Sequence, residues 1–237
     1  MLWTETALRE NIRNREGKRV FYLPKGDQLT SGARDFLTRE RIPLLPAEQA
    51  RPERYHLLGG GYLETKPEHM THLNAEVLVR KDHPRILFRG KLDTLEAELI
   101  LAQMSAEHLV TPVGEILALA RRIIRADVLE EPLPETTLCG LSEEQIRKHS
   151  HFPQEFYGQP HFMPGAEDGI VIARLNRARC AAREAELAAV AAFSDSQGQL
   201  TREDLIRAMN RMSSMLYILM VREKARSAKA SPGGKLS

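Results

Sequence analysis

Beyond about residue 90, apolar side chains recur at intervals of three and four, the period of an amphipathic helix. Leu92, Leu95, Leu99 and Met104 form one stripe, which predicts a helix opening at Gly90 with Asp93 in its first turn, where the helix dipole favours a carboxylate. A second stripe runs from Pro112 to Leu129 through Val113, Ile116, Leu117, Ala120, Ile123, Ile124 and Val128, and Pro132 and Pro134 end it. Ser142 with Gln145 has the spacing of a capping box and predicts a short helix to His149. An irregular stretch from Phe152 to Gly169 follows, then a long helix over Ile170–Phe193. Thr201 with Asp204 caps a last helix, Glu203 to about Ala225, whose core face is Leu205, Met209, Met212, Leu216, Leu219 and Met220. A methionine stripe of this kind reads as core filling rather than cofactor contact. The pattern predicts a mainly α fold, about four or five helices in a bundle.

The first part of the chain patterns differently. Leu2–Ile12 reads as a short helix, Arg19–Leu23 as a strand and Ile42–Leu45 as another. Between them Thr30 or Ser31 can cap a helix carrying Ala33, Phe36 and Leu37. Pro43, Pro46, Pro52 and Pro67 with Gly59-Gly60-Gly61 suggest a linker. The glycine triplet lacks the following Lys-Ser/Thr of a phosphate loop. The expected organisation is a small α/β unit with its linker over 1–62, the helical domain over 63–226, and a disordered basic tail over 227–237.

Length and charge narrow the class. The 237 residues suffice for a large core, and the net charge of +2 is spread along the chain rather than gathered on a basic face, so nucleic acid is not an expected partner. The two cysteines, Cys139 and Cys180, give neither metal-ligand spacing nor a disulfide framework. No run reaches membrane-spanning length, so a soluble, reducing, cytoplasmic setting is expected.

Candidate chemistry concentrates on the Ile170–Phe193 helix. Arg179, Arg183 and Glu186 share one helical stripe beside Ala182, Ala185, Leu187 and Val190. Two guanidinium groups on one stripe suit a polyanion. Spacing alone fits a solvated face of Arg–Glu pairs as well, the commoner origin of such a pattern. Asn210 and Arg211 interrupt the apolar last helix. Phe152, Phe156, Tyr157 and Phe162 in a loop either line a pocket or pack beneath one.

Three separated blocks together resemble the ATP:corrinoid (cobalamin) adenosyltransferases. They are Lys81-Asp82-His83-Pro84-Arg85 with Gly90-Lys91-Leu92-Asp93; Phe162-Met163-Pro164-Gly165 with Ala178-Arg179-Cys180, Arg183 and Glu186; and Asn210-Arg211-Met212-Ser213. Thr71-His72-Leu73, Arg125-Ala126-Asp127, Glu131-Pro132-Leu133, Ser150-His151 and the N-terminal unit resemble the ethanolamine-utilisation type in particular, which is related to the propanediol-utilisation type. Two features depart from the family pattern. Only Thr65-Lys66 and Thr71 correspond to the Thr-Lys-Thr-Gly-Asp phosphate loop of the propanediol type. The Cys-Cys-x-x-Cys cluster of some ethanolamine-type members is missing, so no metal site is expected, although His56, His69 and His72 are possible ligands.

The resemblance implies a five-helix-type bundle and transfer of the 5′-deoxyadenosyl group of ATP to a reduced Co(I) corrinoid. It assigns the triphosphate to Arg183 and Lys81 with Mg²⁺, and secondarily to Lys66 and Thr71. Glu186 and Asn210 take the nucleotide sugar or base. Asp93 pairs with Arg179 to form the floor of the site. Phe162, with Met163, lies against the corrinoid and keeps a lower axial ligand off cobalt. It further implies a homotrimer with sites between subunits, an electron donor for Co(II), and a place in ethanolamine utilisation, where a bacterial microcompartment is a possible setting. The alternative is a non-catalytic bundle that binds corrinoid or ATP as a chaperone or regulator.

Overall fold

The computed structural model describes residues 1–15, 18–49, 55–60, 62–63 and 66–230. The chain divides into two compact units, Met1–Pro67 and Glu68–Ser237.

The first unit begins with β1 (Leu2–Trp3), α1 (Glu5–Glu10), β2 (Arg13–Arg15) and β3 (Lys18–Leu23). It continues with β4 (Gln28–Leu29), α2 (Ser31–Arg39), β5 (Leu44–Pro46), β6 (Tyr55–Leu57) and β7 (Tyr62–Leu63). β1 pairs with β4 in parallel, β3 pairs with β2 antiparallel and with β5 in parallel, and β6 with β7 forms a hairpin. Thr30 caps α2, its hydroxyl accepting the Ala33 N–H at 3.3 Å. Leu8, Phe21, Leu29, Ala33, Phe36, Leu37 and Ile42 make a separate small core. Gly59 and Gly60 sit in the β6–β7 turn, where Gly60 takes a positive φ of 91° and returns its N–H to the Leu57 carbonyl at 2.9 Å. These two glycines therefore close a hairpin rather than run as a linker; Gly61 lies outside the described residues.

The second unit opens with the hairpin of β8 (Met70–His72) and β9 (Val77–Arg80). Its long helices are α3 (Pro84–Gln103), α4 (Val110–Val128), α7 (Gly169–Phe193) and α8 (Glu203–Ala230), with the shorter α5 (Glu143–His151) and α6 (Pro153–Tyr157) between α4 and α7. Cross-links fix the arrangement. Lys91 and Glu98 of α3 pair with Glu184 and Arg177 of α7, so these helices run antiparallel. Glu96 of α3 pairs with Arg121 of α4. Arg202, just before α8, donates to the Ala126 carbonyl near the end of α4, while His108, just before α4, meets Glu223 of α8. The four long helices thus close into an antiparallel ring, and α5 packs on α8 as the fifth member. This is the mainly α bundle, with an α/β part ahead of it, that the pattern implied.

The core of the ring is apolar and closed. Phe88, Leu92, Leu95, Leu99, Ile116, Leu175, Leu205 and Leu216 are fully buried, as are Met209, Met212, Met215 and Met220. Phe88 meets Phe193 edge to face at 5.5 Å. On α7 the buried face is built largely from Ala178, Ala181, Ala182, Ala185 and Ala189.

Four expectations are corrected. The first long helix starts at Pro84, not Gly90: proline suits the first helical position, where no N–H is needed, and the His83 side chain accepts the Arg85 N–H at 3.2 Å. Asp93 therefore lies well inside α3, out of reach of a first-turn dipole effect. Met104 is 79% exposed and is not part of the core stripe. Thr201 donates to the Phe193 carbonyl and Asp204 accepts the Leu133 N–H, so both tie neighbouring segments together. The last helix also runs on to Ala230, past the predicted Ala225; residues 231–237 of the expected tail lie outside the described residues.

The Lys81–Arg85 block turns out to be largely structural. Arg85 and Arg89 both reach the fully buried Asp127 of α4, at 2.8 and 2.6 Å, and Arg85 also donates to the Asp127 carbonyl at 2.7 Å. Removing one side of such a cluster leaves desolvated charge behind. Asp127→Ala is expected to lower the unfolding free energy by about 3–5 kcal/mol, read by urea denaturation. A loss within the range of an exposed surface pair would show that the clamp does not hold α3 to α4.

Candidate active site

The stripe on α7 forms one wall of a cleft of about 630 Å³. Arg179, Arg183, Glu186, Leu187 and Val190 come from α7, and Asn210, Ser213, Ser214 and Tyr217 from the facing side of α8. Ser150 and His151 of α5 with His161 of the following loop close one end. Helical spacing explains the convergence: positions 210, 213, 214 and 217 fall at i, i+3, i+4 and i+7, on one face.

The polar groups in the cleft are unequally committed. Asn210 Nδ2 donates to Glu186 Oε1 at 3.0 Å, bridging α8 and α7, and Arg211 donates back to Asn210 Oδ1 at 2.9 Å. Arg179 is held on its own helix by Asn176 Oδ1, at 3.1 Å from Nε and 2.9 Å from its terminal nitrogen. Arg183 is exposed and makes no hydrogen bond or ion pair among the described residues. A cation left free beside a fixed carboxylate–amide pair is a ready acceptor of an anionic ligand.

The aromatic end is anchored through Tyr217. His161 Nε2 donates to the His151 carbonyl at 3.1 Å, which leaves Nδ1 to accept the Tyr217 hydroxyl at 2.8 Å. Both His161 and Phe162 stack against the Tyr217 ring, at 5.6 and 6.5 Å. Burial pushes the Tyr217 phenol above its ordinary value, so it stays a neutral donor at physiological pH. Phe162 is half-buried against the core, with Lys224 Nζ 5.5 Å from its ring centre. Met163 projects outward, 90% exposed. Asp168 secures the far side of this loop, accepting the Gly165 N–H at 2.8 Å and pairing with Lys224.

The predicted residues divide accordingly. Arg179, Arg183, Glu186 and Asn210 gather in the cleft. Phe162 and Met163 sit on the loop beside it. Asp93 is exposed on α3 and does not meet Arg179 within the chain, because Arg179 is turned to Asn176. Thr71 lies in β8 and Lys81 is exposed just after β9; neither lines the cleft. Lys66 belongs to the first unit, and Thr65 lies outside the described residues. No group of three or more His, Cys, Asp or Glu among the described residues could hold a metal ion, so His56, His69 and His72 do not gather into such a group. Sequence reasoning missed His161, Ser214 and Tyr217, and it named Ser213 only as part of a family block. The signal available for Tyr217 was its position seven residues from Asn210.

Residues 61–223 match the family model for cobalamin adenosyltransferase. The chain belongs to that family. Among its relatives, the corrinoid adenosyltransferase EutT of Salmonella typhimurium is 30% identical over 242 positions, covering 92% of this chain and 90% of the relative. The protein of the same name from Escherichia coli strain K12 is 31% identical with the same coverage. The family match spans the cleft and the Phe162 loop and takes in β8, β9 and all six helices of the second unit apart from the end of α8. No helix among the described residues is long and apolar enough to cross a membrane.

The loop anchor gives a pH signature. Hydrogen bonds from Lys224 and from the Gly165 N–H hold the Asp168 carboxyl below the ordinary aspartate range. Its stabilisation is therefore complete above that range and is lost as pH falls through about 4 toward the lower folded-state value. Asp168→Asn removes this component. The melting temperature of the unaltered protein should exceed that of the variant at about pH 6, and the gap should shrink as the pH falls below about 4. A gap independent of pH would assign the difference to packing instead.

Proposed function

We propose that this chain transfers the 5′-deoxyadenosyl group of ATP to the cobalt of a reduced corrinoid, the activity named for its EutT relatives. The observation that carries the reading is Arg183, without a partner among the described residues, beside the Glu186–Asn210 pair in a cleft whose other end is aromatic. Co(I) is a strong nucleophile, so no side-chain base is needed. As the cobalt–carbon bond forms, the C5′–oxygen bond breaks and triphosphate leaves with the electron pair. The protein's part is to place the carbon in line with cobalt and to stabilise the charge that gathers on the leaving group.

Arg183 meets the triphosphate, with Lys81 as a second cation and Lys66 and Thr71 as further phosphate contacts. Glu186 and Asn210, already joined, orient the ribose or base. Mg²⁺ would enter on the ATP phosphates with most of its own waters, so it fits a cleft in which Glu186, committed to Asn210, is the sole carboxylate among the lining residues. When bound, Mg²⁺ would neutralise charge on the leaving triphosphate. Lys81, Thr71 and Asp93 lie off the cleft wall of their own chain, which favours a homotrimer in which a neighbouring copy completes each site. Asp93 of one subunit then pairs with Arg179 of the next. Phe162, stacked on Tyr217, faces the corrin and excludes a lower axial ligand, leaving four-coordinate Co(II) that an external donor reduces more easily.

The direct test mixes the protein with ATP, Mg²⁺ and chemically reduced cobalamin and follows adenosylcobalamin by absorbance; no product would refute the enzyme reading. Arg183→Ala should lower turnover by about 10²–10³-fold with an unchanged melting temperature, the scale of losing one charge-stabilising donor. Turnover at the normal rate with saturating ATP would remove the triphosphate role. Phe162→Ala should retain ATP binding but leave bound cob(II)alamin five-coordinate by electron paramagnetic resonance. A four-coordinate signal in that variant would overturn the axial-exclusion role.

A further inference from the structure

A second pocket, of about 380 Å³, adjoins the cleft and shares His151 and His161 with it. Its remaining lining is Phe152, Pro153 and Pro160 with Gln154 and Glu155, and the surface it presents is mainly apolar. That volume lies within the range of small-molecule sites. The local chain explains its shape. Phe152 sits at the corner where α5 ends and α6 begins, its N–H satisfied by the Lys148 carbonyl, so its ring is left 56% exposed. The ring centres of His151 and Phe152 stand 6.5 Å apart and inclined by 48°, an open wedge. His161 is pinned by Tyr217 and the His151 carbonyl, so the wall between pocket and cleft is fixed. The next residue along the chain is Phe162.

We propose that this pocket receives the heteroaromatic lower base of a complete corrinoid once that base has left cobalt. The inference rests on the adenosyltransferase reading. A ring that occupies the lower face of the corrin must send the base elsewhere, and the base stays tethered to the macrocycle by its nucleotide loop. It leaves cobalt with its own lone pair, so the oxidation state of the metal is unchanged by the move. A planar aromatic expelled beside Phe162 finds an aromatic and proline-lined recess one residue away. The Arg179–Arg183 side of the cleft, by contrast, is polar and suited to phosphates. Capture of the base there would disfavour its return to cobalt and so supports the four-coordinate state.

The pocket makes a discriminating prediction, because cobinamide has the corrin ring but no lower base. Phe152→Ala should weaken binding of cob(II)alamin about tenfold, the scale of one lost base–aromatic stack, and leave cob(II)inamide unaffected. Phe152→Tyr, which keeps the ring, should restore cobalamin binding. Equal weakening of both corrinoids, or no change for either, would overturn the pocket assignment. Failure of the unaltered protein to adenosylate either corrinoid would instead sink the enzyme reading, so the two failures are separable.

Discussion

The arrangement depends on the rotational setting of α7. Its buried face is built from alanines at positions 178, 181, 182, 185 and 189, all essentially sealed from solvent. A methyl group adds little bulk, so α3 and α8 can both lie close against the helix, and close packing on two sides leaves little freedom to turn about its axis. Helical geometry then aims everything else. Arg179, Arg183 and Glu186 recur at four and three residues, so they must form a stripe at a fixed angle from the alanines. Surface ion pairs along the α3 edge contribute little to stability. They line the edge of the packed face opposite the polar stripe, because positions 177 and 184 lie across the alanines from 179, 183 and 186.

A second constraint separates charges that build the bundle from charges left for a ligand. The block around Lys81–Arg85 carries family resemblance, yet most of it is spent inside the protein. Pro84 starts α3, His83 caps it, Arg85 joins Arg89 on Asp127, and Asp82 pairs with Arg80. A buried ion cluster adds little net stability over apolar packing but is expensive to break on one side. It therefore fixes the register of α3 against α4 without competing for an anion. In the cleft the balance is reversed. Glu186 is matched by the neutral Asn210, and Arg183 keeps its charge uncommitted.

Much of this could be read from the chain because long helices repeat their pattern many times. The stripes of α4, α7 and α8 fell where periodicity put them, and the capping box of α5 is formed as its spacing implied. The start of α3 was misread because Pro84 reads equally as a breaker and as a first-turn residue, and only the His83 cap decides between them. In the first unit β1 and β4 have two residues each, too few to show alternation, so the helix expected from Leu2 begins only at Glu5. On the site, the α7 stripe and Asn210 were legible through spacing. The expected Asp93–Arg179 pair does not form within the chain, where Arg179 turns to Asn176, because periodicity on two separate helices does not say which of their polar groups face each other. His161 lies in a loop without a repeat, and its role emerges only from the hydroxyl it meets.

That hydroxyl belongs to a series on α8. Asn210, Tyr217 and Lys224 stand seven residues apart, two helical turns each time, and so return to nearly the same face. Each grips a different part of the site: Asn210 the carboxylate of Glu186, Tyr217 the His161–Phe162 pair, and Lys224 the Asp168 carboxylate behind Gly165. A single rigid helix thereby sets the spacing between the Arg183–Glu186 end of the cleft and its aromatic end. Rotation or sliding of α8 would displace both ends together, so their separation is insensitive to small motions of the loop between them. For a reaction in which a carbon atom must lie in line between a held phosphate chain and a held macrocycle, that separation is the quantity the fold has to conserve.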